Sequence, residues 1–265
     1  MTIDNFISPV PTQDVIGFPV TAVSFDQQIT LMLRWGKRHL SKFVCVANVH
    51  MLTEAYRDVG LGTVLHSADL VTPDGMPLVW MVRLLGQYAQ DRVAGMDIMQ
   101  AVCAAAPAQG VSVFFLGSQP EILDLMHARL EQEYPDLAIA GMMSLPFRPL
   151  TPTEDQAVIQ SIHQSGAGIV FVSLGCPKQE FWMSQHKSRV QAVMVGIGGV
   201  FPLYAGIHKR APDFIRESGL EWLYRLVQEP RRLWKRYVST IPPFMWLAFK
   251  QLLTRQIGVQ TSSRN

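Results

Sequence analysis

A chain of 265 residues, 48% of them apolar and 17% charged, is long enough for one large α/β domain with an appendage and too apolar for a disordered segment. Its three cysteines, Cys45, Cys103 and Cys176, are scattered without metal-ligand spacing, which argues against a disulfide scaffold and a zinc module and for reduced thiols. Net charge is only +2, but residues 205–265 carry eleven Lys and Arg against four Asp and Glu, while residues 1–204 carry twelve against seventeen; the basic end reads as a surface for an anionic partner or as a solvated helical face.

The opening "MTIDNFISPVPTQD" lacks a basic stretch followed by an apolar one, so no signal peptide is expected. "KFVCVANV" (Lys42 to Val49) is uninterrupted and β-branched, as a buried strand should be. "HMLTEAYRDV" follows with helical spacing at Met51, Leu52, Ala55 and Tyr56. A short strand, "DLV", then runs into Thr72-Pro73-Asp74-Gly75 and an apolar helix. "VSVFFLG" is a further strand, and "SQPEILDLMHARLEQEY" an amphipathic helix with Ser118 as N-cap and Ile122, Leu125, Met126, Arg129 and Leu130 near one face. "LAIAGMM" is a strand; "TPTEDQAVIQSIHQSG" is a helix opened by Thr151 or Thr153 and closed by Gly166. "GIVFVSLG", the helix "PKQEFWMSQH" and the strand "VQAVMVGIGG" complete the alternation. The uncharged run from about Val193 to Ile207 is too short and too broken by Gly and Pro to span a bilayer. Beyond Gly206 only helices are expected.

This rhythm predicts an α/β fold with an open, mostly parallel sheet and helices on both faces. Residues 1–206 form the sheet domain and residues 207–265 a helical, basic appendage. Ligands of such sheets bind beyond the carboxyl ends of the strands, which directs attention to Asn48, to Asp74-Gly75, to Gly117, to Gly175 with Lys178, Gln179 and Glu180, and to Gly196 and Gly198. Asp74 can serve as a general base there, although "PDG" is equally a turn signature. In "SLGCPKQEFW" a helix N-terminus follows Gly175, presenting free N–H groups to an anion beside Lys178, or simply making a strand-to-helix turn. His50 follows a strand, and His163, His186 and His208 read as solvent-facing or in turns. There is no H-E-x-x-H, no G-x-S-x-G, no early G-x-G-x-x-G and no D-x-D.

The ordered series "GFPVTAVSF", "ANVHML", "ADLVTPDGMPLVW", "DRVAGMDIM", "VFFLGS", "LGCPKQEFW", "VGIGGVFPLYAG", "KRAP" and "GLEWLYRLVQEPRRLWKRY" resembles the WecG/TagA/CpsF family of bacterial glycosyltransferases over roughly Asp14 to Tyr237. The resemblance implies a Rossmann-like fold whose helical appendage reaches the membrane. It implies inverting, metal-independent transfer from a UDP-sugar to a polyprenyl-diphosphate-linked acceptor at the cytoplasmic membrane face, for cell-surface polysaccharide synthesis. No cofactor and no nucleic acid enter this reading, and a homo-oligomer is left open. Carried over by position, Asp74 is the proposed base, Asn48 and Arg92 accompany it in catalysis, and Gln179 and Glu180 lie near the nucleotide sugar. Val46 and Pro202 stand where the family has Thr and Asp.

Without a metal, backbone N–H groups and cations must take up the charge on the leaving UDP; Arg225, Arg231, Arg232 and other cations of the appendage are candidates. The tail interleaves Arg231, Arg232, Lys235 and Arg236 with Trp234, then offers Phe244, Met245, Trp246 and Phe249, a composition suited to peripheral docking on an anionic inner-membrane surface or to packing on the main domain. Two other readings stand beside this one: a non-catalytic membrane-associated assembly factor for polysaccharides, and a Rossmann-type oxidoreductase.

Overall fold

The computed structural model describes residues 10–86 and 89–262, with side chains as far as Arg255; the signal-peptide expectation falls largely on residues 1–9, outside the described residues. The chain opens with an antiparallel hairpin of β1 (Thr12–Val15) and β2 (Phe18–Thr21). Its turn residues Ile16 and Gly17 both have positive φ, 49° and 93°, the handedness that two-residue hairpins need. For a β-branched residue this is unfavourable. It is held by burial of the Ile16 side chain and by Gln251, whose Oε1 accepts the Ile16 N–H at 2.9 Å. The hairpin escaped the sequence reading because its strands are four residues long and its turn carries none of the usual Asn-Gly chemistry.

The alternation then runs α1 (Phe25–Lys37), β3 (Lys42–Ala47), α2 (Val49–Arg57), α3 (Val59–Ser67), β4 (Leu70–Pro73), α4 (Met76–Leu84), α5 (Gly95–Gln109), β5 (Val113–Gly117), α6 (Pro120–Glu133), β6 (Ile139–Met143), α7 (Pro152–Ser165), β7 (Ile169–Ser173), α8 (Lys178–His186) and β8 (Val193–Gly196). The six strands β3 to β8 form one sheet in the order β4-β3-β8-β7-β5-β6, with every pairing parallel. Successive side chains of a strand alternate between the faces. Thus Phe43, Cys45, Ala47, Val170, Val172 and Met194 enter one core layer, while Val44, Val46, Ile169, Phe171, Val193 and Val195 enter the other. A strand buried on both faces needs a continuous apolar run, which is why β3, β5 and β7 were legible.

Three local expectations change. Gln119, not Ser118, caps α6, and Ser118 itself has φ 68°. Leu123 takes the core position expected of Leu125, which is exposed, as is Tyr56 on α2. His186 is not solvent-facing: it is 2% exposed, stacks on Trp182 at 4.1 Å between centroids and has Nε2 2.8 Å from Asp155 Oδ1. Thr151 is the cap of α7, in a reciprocal capping box with Glu154.

After β8 come α9 (Val200–Tyr204), α10 (Asp213–Glu217), α11 (Glu221–Gln228) and the 33-residue α12 (Pro230–Ser262). Pro242 and Pro243 lie inside α12. Proline has no N–H, so Pro243 leaves the Ser239 carbonyl without its helical donor. Arg57 of α2 supplies one at 2.7 Å, and Thr53 Oγ1 donates to the neighbouring Thr240 carbonyl at 3.2 Å. Phe244 and Ala248 enter the same core layer as Phe43, and Gln251 also donates to the carbonyl of Asp14. The appendage therefore closes one face of the domain. Among the described residues no helix is long and apolar enough to cross a membrane.

Phe244→Ala is expected to cost about 3–5 kcal/mol, the usual range for emptying a buried aromatic site, and to lower a single cooperative unfolding transition. Denaturant unfolding that leaves the midpoint unchanged would show that α12 does not fold with the sheet.

Candidate active site

Loops beyond the carboxyl ends of all six parallel strands, with α10 to α12 opposite, enclose a cleft of about 720 Å³. From the β3 and β4 ends it is lined by Asn48 and Asp74, and from the β5 and β6 ends by Ser118, Gln119 and Phe147. The β7 and β8 ends add Ser173 to Cys176 and Ile197 to Gly199.

Asp74 follows β4 directly. Its N–H donates to the Ala47 carbonyl at 2.9 Å, and the carbonyl of Pro73 accepts from Val93 at 2.9 Å, so the backbone is pinned on both sides. Removal from water, reinforced by Glu221 and Asp97 and opposed by Arg92 and Arg225, pushes the Asp74 carboxyl up to about 7. That value suits a base working near neutrality. Gly75 caps α4 with φ −88°, a conformation open to any residue, so the expected backbone freedom is not used there. Asn48 caps α2, its Oδ1 accepting from Met51 N–H at 3.2 Å.

Arg92 is fixed from two directions. Nη1 donates to Glu221 Oε2 at 2.9 Å and Nη2 to Asp97 Oδ2 at 3.2 Å. Arg210 also donates to Asp97, on Oδ1, with Arg216 Nη1 3.8 Å from the same oxygen. Arg225 lines the cleft, and its guanidinium makes no hydrogen bond or ion pair among the described residues. In all, seven Lys and Arg line the cleft against the three acids Asp74, Glu221 and Glu229, an excess that suits a ligand carrying more than one negative charge.

On the β7–β8 side, Gln179 is clamped. Its Oε1 accepts the Gly198 N–H at 3.1 Å and its Nε2 donates to Glu180 Oε1 at 2.7 Å. Glu180 is 0% exposed, with Oε2 unpartnered, and burial raises its carboxyl above the usual range. It therefore orients Gln179 from behind and does not line the cleft. The Cys176 thiol, on the cleft wall, is pushed well up by burial and by Glu180, which leaves it protonated. His50 is held down to about 4 by burial and by Arg236, so it is neutral at pH 7.

Of the residues expected from sequence, Asp74, Asn48, Arg92, Gly175, Gln179, Gly198, Arg225 and Arg232 share the cleft; Gly75, Gly117, Lys178, Glu180, Gly196 and Arg231 do not line it. Packing explains two of these. A Cβ on Gly117 would stand 2.6 Å from the Ser173 carbonyl oxygen, and one on Gly196 2.6 Å from Met183 Cε. Gly175, by contrast, has φ 78° on the cleft wall with nothing near its missing Cβ. The sequence reading did not single out Arg210, Arg216 or Glu221, and named Arg236 only among the cations of the tail. The only signal was their place in "KRAP" and the basic appendage, since nothing local distinguishes them from solvated charges. Of the two departures from the family pattern, Val46 lies in the sheet core, away from the cleft, whereas Pro202 lines it.

The profile described as "Glycosyl transferase WecG/TagA/CpsF family" matches residues 13–258. A curated relative from Bacillus spizizenii (strain W23), N-acetylglucosaminyldiphosphoundecaprenol N-acetyl-β-D-mannosaminyltransferase, is 34% identical over 239 residues, covering 88% of this chain and 90% of its own length.

The raised Asp74 pKa has a stability consequence. The folded state holds this proton up to about pH 7, while an unfolded Asp releases it near 3.8, so the contribution is full below the unfolded value and lost as pH rises through the folded one. Asp74→Asn, which cannot ionise, should therefore raise the thermal midpoint relative to wild type more at pH 8 than at pH 4. Equal shifts at both pH values would show that the Asp74 carboxyl is not perturbed.

Proposed function

The chain belongs to the WecG/TagA/CpsF family of glycosyltransferases, and from that premise we propose that it transfers a sugar from a UDP-sugar to a polyprenyl-diphosphate-linked acceptor, with inversion and without a metal ion. The observation that carries this reading is one strand-end carboxylate with its pKa raised to about 7, facing a cleft wall in excess positive charge. Asp74 takes the proton of the acceptor hydroxyl as that oxygen bonds to the anomeric carbon. The bond from that carbon to the diphosphate breaks in the same step, and the charge that grows on UDP falls to Arg92, Arg225 and their neighbours. A single displacement with one base inverts the anomeric centre.

The relative's name supports the acceptor class, since it specifies a diphosphoundecaprenol-linked sugar, and its β-linked product is what one displacement on an α-linked nucleotide sugar yields. It also makes UDP-N-acetylmannosamine the first donor to test. Glu180, in this reading, serves the donor indirectly by fixing Gln179.

Membrane docking belongs to the same proposal. Trp234, Val238, Met245, Trp246 and Phe249 of α12 are exposed, beside Arg231, Arg232 and Lys235. Cations near an anionic surface contribute about 1 kcal/mol each, while aromatic rings settle at the headgroup boundary. The protein then sits peripherally on the cytoplasmic face, where a lipid-linked acceptor is presented.

UDP release from a panel of donors, with N-acetylglucosaminyl-diphosphate-polyprenol as acceptor, tests the function. Asp74→Asn should lower turnover by about 10² to 10⁴, and an unchanged rate would remove the base. Turnover should survive EDTA; loss restored by Mg²⁺ or Mn²⁺ would mean that a metal neutralises the diphosphate. Truncation of α12 would also remove Leu233 and Phe244 from the interior, so the membrane role is better tested with Trp246→Ser/Phe249→Ser. This variant should keep its thermal midpoint and lose binding to vesicles containing anionic lipid, and equal binding would refute docking through this face.

A further inference from the structure

We propose that Asp97 is a positioning residue that assembles Arg92, Arg210 and Arg216 into one diphosphate-facing surface and thereby aligns the appendage with the sheet for transfer. The proposal deepens the donor reading above and rests on it. Asp97 lies in the first turn of α5, five residues after Arg92 in "DRVAGMDIM". A carboxylate in a first helical turn is ordinarily explained by the free N–H groups there. Here both oxygens also face arginines: Oδ2 takes Arg92 Nη2 at 3.2 Å, Oδ1 is shared by Arg210 and, at 3.8 Å, by Arg216.

These three arginines come from separate places: the loop after α4, the segment before α10, and α10 itself. Guanidinium groups so close together repel one another unless an anion lies between them. Arg92 is also paired with Glu221, and Arg216 with the exposed Asp213; Asp97 is the one carboxylate common to all three guanidiniums, and so it is the group that fixes them relative to one another. Arg92 and Arg216 are themselves largely buried, at 15% side-chain exposure, which limits the other orientations open to them. The Arg92 ion pair with Glu221 extends the same arrangement to α11. Asp97 therefore does not touch the reacting atoms. It sets the donors that do, and misplacement of such groups by about 1 Å can cost of the order of 10²-fold in rate.

The test uses the full chain carrying Asp97→Asn, Asp97→Glu, Arg210→Gln, and Asp97→Asn with Arg210→Gln. Binding of UDP and of inorganic pyrophosphate is measured by calorimetry, and kcat and KM by UDP release. In Asp97→Asn, kcat should fall about 10- to 100-fold while pyrophosphate binds no more than a few-fold differently, because the cations remain and only their alignment is lost. Asp97→Glu should recover part of kcat. Arg210→Gln should cost less in the Asp97→Asn background than in wild type. Unchanged kcat in Asp97→Asn overturns the proposal, as do fully additive losses, or a kcat that falls only in proportion to the folded fraction. A wild-type protein that binds pyrophosphate but not UDP overturns the donor reading, and with it the alignment role that rests on it; one that binds UDP while Asp97→Asn loses pyrophosphate binding more than about tenfold overturns the positioning role alone.

Discussion

A carboxylate held out of water beside a surplus of arginines is the condition on which the rest of this molecule depends. Asp74 taken alone would lose its charge at neutral pH, since desolvation and the nearby Glu221 and Asp97 all favour the protonated form. Arg92 and Arg225 pull the other way, and the balance falls at about 7. A carboxyl balanced there depends on two structures at once: a rigid strand end to hold it, and a second body to bring cations over it. The parallel sheet supplies the first, through the backbone bonds on either side of Asp74. The helices after β8 supply part of the second: Arg225 stands on α11, and Glu221 of the same helix braces Arg92, which comes from the loop after α4.

That division of labour explains why the appendage is built into the core instead of hanging from it. If α10 to α12 moved freely, the arginines they carry would hold no fixed distance from Asp74, and their effect on its protonation would be averaged away. Three attachments prevent this. Phe244 and Ala248 sink into the core, Arg57 and Thr53 take up the carbonyls at the proline interruption, and Gln251 ties α12 to the N-terminal hairpin. The buried face of α12 is thereby committed to the fold. The opposite face keeps its Trp and Phe exposed, so the residues that fix the fold and those left on the surface occupy different sides of one helix.

Polar groups behind the cleft follow the same logic. Glu180 has no route to a ligand, but it fixes the amide of Gln179, whose other end holds Gly198. His50 and Cys176 are kept uncharged by burial and by their charged neighbours, Arg236 for the one and Glu180 for the other. Neither competes with Asp74 for a proton at neutral pH. Asp74 is thus the cleft carboxyl whose proton is balanced near neutrality, while these two neighbours hold fixed protonation states.

The sequence by itself determined the parallel α/β alternation, because doubly buried strands must be continuous apolar runs and helices must carry periodic faces. It also determined that Asn48, Asp74 and Gly175 stand at strand ends, since those ends are marked by Pro, Gly and capping residues. Only the tertiary structure decided which strand-end residues meet. Gly117 and Gly196 occupy equivalent positions along their strands, yet close packing against Ser173 and Met183 accounts for both. Only the tertiary structure decided, too, that Arg92, Arg210, Arg216 and Arg225 converge on one cleft. Periodicity and capping are local properties readable within a few residues. The convergence of charges far apart in the chain is set by strand order and by the packing of α12 on α2, for which no local pattern exists.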